Sequence, residues 1–214
     1  MSSVQSIVFD LDGTLVDSSP DIAAALNKAF APRGVRGLSA AEVLAMLGGG
    51  PRVLVAKALD AVGSPAEGAE LDELVEVYSQ HYRANPVDGT TCFADAARAI
   101  PALHARGVLL GICTNKRTDI AHQTLTGLGL AEYFGAVIGS DLASHTKPDA
   151  AHLIETLESL GADPARCVYV GDTEIDAATA EAAGVEYRHV AWGHMLERKT
   201  QSIEQFSDLE ALIG

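Results

Sequence analysis

The chain has 214 residues, and its 15 Lys+Arg against 29 Asp+Glu give a formal net charge of −14 at pH 7. That balance argues against nucleic acid or an anionic membrane as partner, while 48% hydrophobic and only 21% charged residues supply a real core, in one or two domains, and exclude compositional disorder. The longest apolar stretches, such as Val108 to Cys113, are strand-sized rather than the roughly 20 residues of a membrane helix, and Met1-Ser2-Ser3 lacks the basic region of a secretory signal, so a soluble, cytoplasmic protein is expected. Cys92, Cys113 and Cys167 have neither the even count of a disulfide framework nor zinc-site spacing and read as buried free thiols.

In chain order, the β-branched cluster Val4 to Phe9 predicts a strand that ends at the acidic loop Asp10-Leu11-Asp12-Gly13. Ser18 or Ser19 then offers a helix N-cap, Pro20 suits the first turn, and Ile22, Leu26 and Phe30 recur at helical spacing until Pro32 and Gly34 stop the pattern. Further helices are expected over Ala40 to Leu47, over Pro51 to Val62 after the Gly48-Gly49-Gly50 turn, and over Leu71 to Tyr82. After the turn-rich Asn85-Pro86-Val87-Asp88-Gly89 the pattern changes. Strands at Val108 to Cys113, Ala136 to Gly139, Cys167 to Val170 and Val185 to Val190 alternate with helices at Ala94 to Ala105, Thr118 to Thr126, Ala150 to Leu160 and Ile175 to Ala183. The expected fold is α/β, a Rossmann-like parallel sheet with helices on both faces formed by residues 1–17 and 85–214, carrying an inserted all-helical unit at 18–84.

Ligands of an open parallel sheet bind at the carboxyl ends of its strands, so the residue after each strand carries information. Asp10 and Asp12 follow the first strand, Thr114-Asn115-Lys116 the second, Lys147-Pro148 the third, and Gly171-Asp172-Thr173-Glu174-Ile175-Asp176 the fourth. Several carboxylates facing an amine suit phosphoryl transfer through an aspartyl-phosphate, because a carboxylate nucleophile can approach an anionic phosphate only with a cation between them and donors around the phosphate oxygens. Mg²⁺, an oxygen-seeking ion, is the expected cofactor, with Asp10 and Asp172 as ligands. Thr114 and Lys147 would stabilise charge on the transferred group, and Asp12 would protonate the leaving oxygen and later deprotonate water. Asp176, one helical turn beyond Asp172, could order metal-bound water. Thr114 also suits capping of the following helix, and Asp176 also suits a helix N-terminus.

The run Asp10-Leu11-Asp12-Gly13-Thr14-Leu15-Val16-Asp17-Ser18 resembles the first motif of the haloacid dehalogenase-like (HAD) phosphohydrolases. Thr114, Lys147 with Pro148, and Gly171-Asp172 with Asp176 resemble the second, third and fourth motifs, in the same order. The resemblance implies that Asp10 is nucleophile and Mg²⁺ ligand, that Asp12 is acid/base and a ligand through its backbone carbonyl, and that Asp172 completes the protein's ligands. Gly13 and Asn115 would join Thr114 and Lys147 around the phosphate, with Arg52 a further candidate.

An insertion between the first and second motifs is similar to the helical C1-type cap. Ser18-Ser19-Pro20-Asp21-Ile22, Gly48-Gly49-Gly50 and Thr114-Asn115-Lys116 look most like phosphoglycolate phosphatases, although Ala94-Asp95 and Ala150 depart from their usual pattern. A small phosphorylated metabolite, 2-phosphoglycolate foremost, is the implied substrate. A β-phosphoglucomutase-like phosphomutase and a catalytically silent binding protein on the same fold are the alternatives. Arg52, after the glycine turn, either binds a substrate anion or is an exposed arginine on a helix connector. His122, His145, His152 and His194 have no metal-site spacing, and Trp192 reads as packing. The sequence leaves oligomeric state open.

Overall fold

The computed structural model describes residues 4–213; Met1-Ser2-Ser3, on which the lack of a basic leader was read, and Gly214 lie outside the described residues. Strand β1 (Ser6–Phe9) is followed by a tight acidic loop and the short β2 (Val16–Asp17). Four helices come next: α1 (Ser19–Phe30), α2 (Ala40–Leu44), α3 (Gly50–Ala61) and α4 (Gly68–Ala84). The chain returns through β3 (Thr91–Cys92) and then alternates: α5 (Ala96–Ala105), β4 (Leu109–Cys113), α6 (Thr118–Gly127), β5 (Ala136–Ile138), α7 (Ala150–Leu160), β6 (Cys167–Gly171), α8 (Glu174–Ala183) and β7 (Glu186–Val190). Strand β8 (Ser202–Ile203) and a 3-10 turn at Phe206–Leu212 complete it.

The main sheet is six-stranded, ordered β5-β4-β1-β6-β7-β8, and every pairing in it is parallel. Alternation sends Ile7 and Phe9 to one face, with Ile112 and Val170, where α5, α6 and the 3-10 turn bury Ile100, Leu103, Leu125 and Phe206. Val8, Cys113 and Tyr169 face the other side against Leu153 and Leu157 of α7 and Ala180 of α8. Phe9 meets Phe134 and Phe206 edge-on, with ring centroids 6.3 and 5.9 Å away. A fully buried Leu, Ile or Phe contributes roughly 1.5–3 kcal/mol, so these two apolar layers hold the strand ends in place. All three cysteines are free, with Cys113 and Cys167 buried and Cys92 partly so.

The four inserted helices have their own apolar centre, in which Ile22, Leu26 and Phe30 of α1 meet Leu54 and Leu59 of α3 and Tyr78 and Tyr82 of α4. Helix α2 is shorter than its apolar pattern, ending at Leu44 because Ala45 to Leu47 form turns that lead into Gly48, whose φ is +106°. Helix α4 is longer than the apolar pattern, since its ends are polar turns on an exposed face. Ser18 does not use its side chain to cap α1. Asp17 accepts from the Ser19 amide and hydroxyl instead, at 3.0 and 2.6 Å.

Two features have little signature in the sequence. Strands β2 and β3 pair antiparallel, Val16 with Cys92 and Asp17 with Thr91, so the chain segments entering and leaving the four helices are tied side by side. The other is the C-terminal β8 and 3-10 turn, anchored where Asp95 accepts from the Phe206 and Ser207 amides at 2.7 and 3.3 Å. No helix among the described residues is long and apolar enough to cross a membrane.

Candidate active site

Strand β1 lies between β4 and β6, where the sheet's connections change direction, and its carboxyl end delivers Asp10. The Asp10 amide donates to Val170 O at 2.9 Å, which fixes the backbone, and the side chain is buried. The loop reverses so tightly that Leu11 O accepts from the amides of Thr14, Leu15 and Val16. Gly13 has φ +87°, and a Cβ there would lie 2.3 Å from Asp172 Oδ2, so glycine is needed for the acidic loop to approach β6. Trp192 closes over it, donating to Gly13 O at 3.1 Å while stacking on Phe93.

From the ends of β6 and α8, Asp172 accepts from Thr14 Oγ1 at 2.8 Å, and Asp176 caps its own helix by accepting from the Thr173 amide at 3.0 Å and hydroxyl at 2.6 Å. The other Asp176 oxygen accepts from Lys147 Nζ at 2.6 Å and Tyr169 OH at 3.0 Å. Lys147 Nζ also lies 2.9 Å from Asp10 Oδ1, but its geometry leaves that buried oxygen without a hydrogen bond. Oxygens of Asp10, Asp172 and Asp176 lie within 4.8 Å of one another. A buried carboxylate oxygen with no donor, beside two more carboxylates, suits a hard divalent cation such as Mg²⁺. Since both Asp176 oxygens already serve Lys147, Tyr169 and Thr173, Asp10 and Asp172 are the better ligands.

Electrostatics agree with that division. Burial pushes Asp10 up to about 6 despite Lys147, and burial with the neighbouring Asp176 and Asp10 charges holds Asp172 well above the carboxylate range. Burial opposes ionisation of Asp176 too, but the Lys147 ammonium outweighs it and holds Asp176 low. Burial likewise opposes the Lys147 charge, and Asp10 and Asp176 more than offset it, raising Lys147 above its ordinary value.

The Lys147 backbone is clamped by a side chain from the end of β4. Asn115 Oδ1 accepts from the Lys147 amide at 3.1 Å, and Asn115 Nδ2 donates to Lys147 O at 3.2 Å. The same Nδ2 lies 3.0 Å from Gly48 O, in the glycine turn between α2 and α3. Asn115 therefore touches both the lysine loop and the helical unit.

Asp12 points away from the three-carboxylate cluster. It accepts from Ser18 Oγ at 2.5 Å and, through both oxygens, from Lys116 Nζ at 2.7 and 2.8 Å. Lys116 Nζ also donates to Tyr82 OH of α4 at 2.7 Å. Between the strand ends and the helices lies a chamber, with Asp10, Asp12 and Thr114 on one side and Ile22, Leu47 and Leu54 among the opposing wall residues.

The structure thus brings together Asp10, Asp12, Thr114, Asn115, Lys147, Asp172 and Asp176. The structure bears on three of the sequence readings, those of Arg52, Gly13 and Thr114. Arg52 does not line the chamber: it lies on the exposed side of α3 and pairs with Asp72. Gly13 is not a free phosphate donor, because its amide is bonded to Val16 O at 2.9 Å. Thr114 does not cap α6, which begins only at Thr118; its hydroxyl accepts from the Lys116 amide at 3.2 Å. Lys116, Tyr82, Ser18 and Tyr169 were not picked out as site residues. Lys116 carried a signal in its place directly after Thr114 and Asn115, whereas Tyr82 is a core aromatic by spacing.

The family of haloacid dehalogenase-like hydrolases matches residues 7–190. A phosphoglycolate phosphatase of Cereibacter sphaeroides is 43% identical over 181 residues, covering 85% of this chain and 82% of the relative. One from Rhodospirillum rubrum is 39% identical over 197 residues, covering 90% and 82%. A crystal structure described as a predicted phosphoglycolate phosphatase from Haemophilus somnus 129PT superposes with a TM-score of 0.88 at 25% identity, covering 99% of both chains. CbbY from Rhodobacter sphaeroides, solved with phosphate, shares the fold at a TM-score of 0.79 and 21% identity, over 98% of this chain and 99% of that one. The chain belongs to the haloacid dehalogenase-like hydrolases and is a phosphatase of that family, similar in sequence to the phosphoglycolate phosphatases.

Proposed function

We propose that this phosphatase is Mg²⁺-dependent, works through phosphoryl transfer to Asp10, and hydrolyses a small phosphorylated metabolite, with 2-phosphoglycolate the foremost substrate. The observation that carries the reading is the buried Asp10, which has an oxygen without a hydrogen bond, lies 2.9 Å from the Lys147 ammonium and faces the chamber. The similarity to phosphoglycolate phosphatases supports the substrate.

Asp10 and Asp172 would hold Mg²⁺, with the backbone carbonyl of Asp12; bound there, the ion would screen the carboxylates from an incoming phosphate and polarise its oxygens. Lys147, fixed by Asp176 and Tyr169, balances the charge on the transferred group, and the Thr114 hydroxyl donates to one of its oxygens. Asp10 attacks phosphorus, the bond to the ester oxygen breaks, and Asp12 gives that oxygen a proton. Asp12 then takes a proton from water, which attacks phosphorus and frees Asp10 and inorganic phosphate. We assign residues 18–84 the role of a cap that excludes bulk water during the first transfer and admits it for the second. A cytoplasmic setting is consistent with this activity.

The test is phosphate release from a panel that includes 2-phosphoglycolate and hexose phosphates, with Mg²⁺, with EDTA, and with the D10N variant. Release preferring 2-phosphoglycolate, abolished by EDTA and lowered at least ~10⁴-fold in D10N, is expected. Activity that persists in D10N sinks the aspartyl-phosphate, and transfer between hexose phosphates without net release replaces hydrolysis with a mutase reaction.

A further inference from the structure

With the phosphoryl group beside Asp10 and Lys147, the rest of the ester extends into the chamber under α1, α3 and α4. Its walls there are largely hydrocarbon, including Ile22, Leu47, Leu54 and Ile120. A sugar would leave several hydroxyls without partners against such a surface. Two further cations line the space, Lys116 and Arg117. The Arg117 guanidinium is taken up by Asp119 and Asp141, at 3.3 and 3.5 Å.

Lys116 differs. Its side chain is only 4% exposed, and its ammonium lies between Asp12 of the core and Tyr82 of α4, 4.6 Å from the centre of the Tyr82 ring. Lys116 spends two donors on the two oxygens of one carboxylate, at 2.7 and 2.8 Å. When Asp12 turns one oxygen toward the leaving group, it releases one of those donors next to where the leaving group sits. The vacated N–H needs a new acceptor, and the hydrocarbon that makes up most of the surrounding wall supplies none.

Resting on the phosphatase reading above, we propose that Lys116 determines specificity: its ammonium, with the Tyr82 hydroxyl beside it, binds a carboxylate on the leaving alcohol and so selects phosphate esters of small hydroxy acids. One ammonium and one hydroxyl match a single carboxylate. A second phosphate, carrying up to two charges and three oxygens, would be underpaired at the same spot. The contact also spans the seam between core and helices, since Tyr82 belongs to α4 and Lys116 to the segment after β4.

Lys116 also holds Asp12, so lost activity alone would not separate selecting from positioning. The experiment therefore compares 2-phosphoglycolate with 2-hydroxyethyl phosphate, an ester of similar length that ends in a hydroxyl, by measuring kcat/KM for phosphate release with Mg²⁺ in wild type, K116M and Y82F. Wild type is expected to favour the carboxylated ester by about 100-fold, K116M to lose most of that preference through a higher KM, and Y82F to lose roughly threefold to tenfold of it. Any harm done through Asp12 slows both esters alike and cancels in the ratio. Folded K116M that slows both esters equally and keeps the preference overturns the assignment; should K116M fail to fold, an undiminished preference in Y82F does the same. Wild-type release from both esters without preference overturns the carboxylate site and leaves the phosphatase reading standing. Release from neither ester by folded, Mg²⁺-loaded protein overturns both.

Discussion

The two walls of the chamber are built on opposite principles. On the core wall the charged groups are buried and bonded several times over: Lys147 meets Asp10, Asp176 and Tyr169, and its backbone is held by Asn115. On the helical wall the surface is mostly apolar and is joined to the core by a handful of polar contacts, such as Asn115 to Gly48 O, Lys116 to Tyr82 and His194 to Leu44 O. The core groups sit on strand ends locked by two apolar layers, whereas the helices hang on the β2–β3 pair. Groups that must meet within a few tenths of an ångström belong on the first kind of wall, and groups that must let substrate in and out belong on the second.

The sharpest way to break this comparison is to titrate the rigid wall. Asp10 rises from an ordinary 3.8 to about 6, chiefly through burial, so the folded chain holds that proton more tightly than the unfolded chain does. The stabilisation is present in full below about pH 4 and is lost as pH rises through about 6, an effect on the order of 3 kcal/mol. Asp172 is raised as well and works in the same direction. A divalent cation favours the ionised carboxylates, so Mg²⁺ is expected to raise the melting temperature more at about pH 7 than at about pH 5. An equal or larger gain at about pH 5 would show that the cluster is not what Mg²⁺ binds.

A cut at the seam comes next. Replacing Asn115 by Ala removes both bonds to the Lys147 backbone and the one to Gly48 O. The ammonium loses part of its aim and the glycine turn its tie, so kcat/KM is expected to fall by about 10- to 100-fold. N115D keeps an acceptor for the Lys147 amide but has no amide to donate, and it should fall between wild type and N115A. If N115A leaves kcat and KM unchanged, the lysine is held by Asp176 and Tyr169 alone.

The same contrast explains what could be read from sequence. Asp10 and Asp172 were legible because a parallel sheet presents the residue after each strand at one edge, and strands are visible as short β-branched runs; Lys147 was legible with Pro148 in the loop after the third strand, in the order of the motifs. Tyr82 was not, because its helical spacing predicts core packing and it does pack in the core, reaching Lys116 only with its hydroxyl. The β2–β3 pair escaped because two-residue strands show no periodicity, and the two partners stand on either side of the four helices in the chain. The acidic loop shows the reverse case. Gly13 was singled out for binding phosphate, and the space it clears for Asp172, beyond the reach of local sequence, is what the structure requires of it.

Arg52 provides the smallest effect and the finest test of the division. The sequence left it as either an anion-binding residue after three glycines or an exposed arginine on a helix connector, and helical geometry turns it to the outer face, where its side chain is 53% exposed and pairs with Asp72, itself 65% exposed. A pair so open to water contributes little, roughly 0–1 kcal/mol, and its removal leaves no buried charge behind. R52A is therefore expected to keep kcat and KM within about twofold, with a melting temperature within about 2 °C of wild type. Neighbouring Gly48 marks the contrast, because a Cβ there would meet Thr173 Cγ2 at 3.1 Å and press the glycine turn off the core. A tenfold rise in KM for R52A would mean that the outer face of α3 swings inward when substrate is bound, and the helical unit would then have to turn about the β2–β3 pair far enough to bring that face to the chamber.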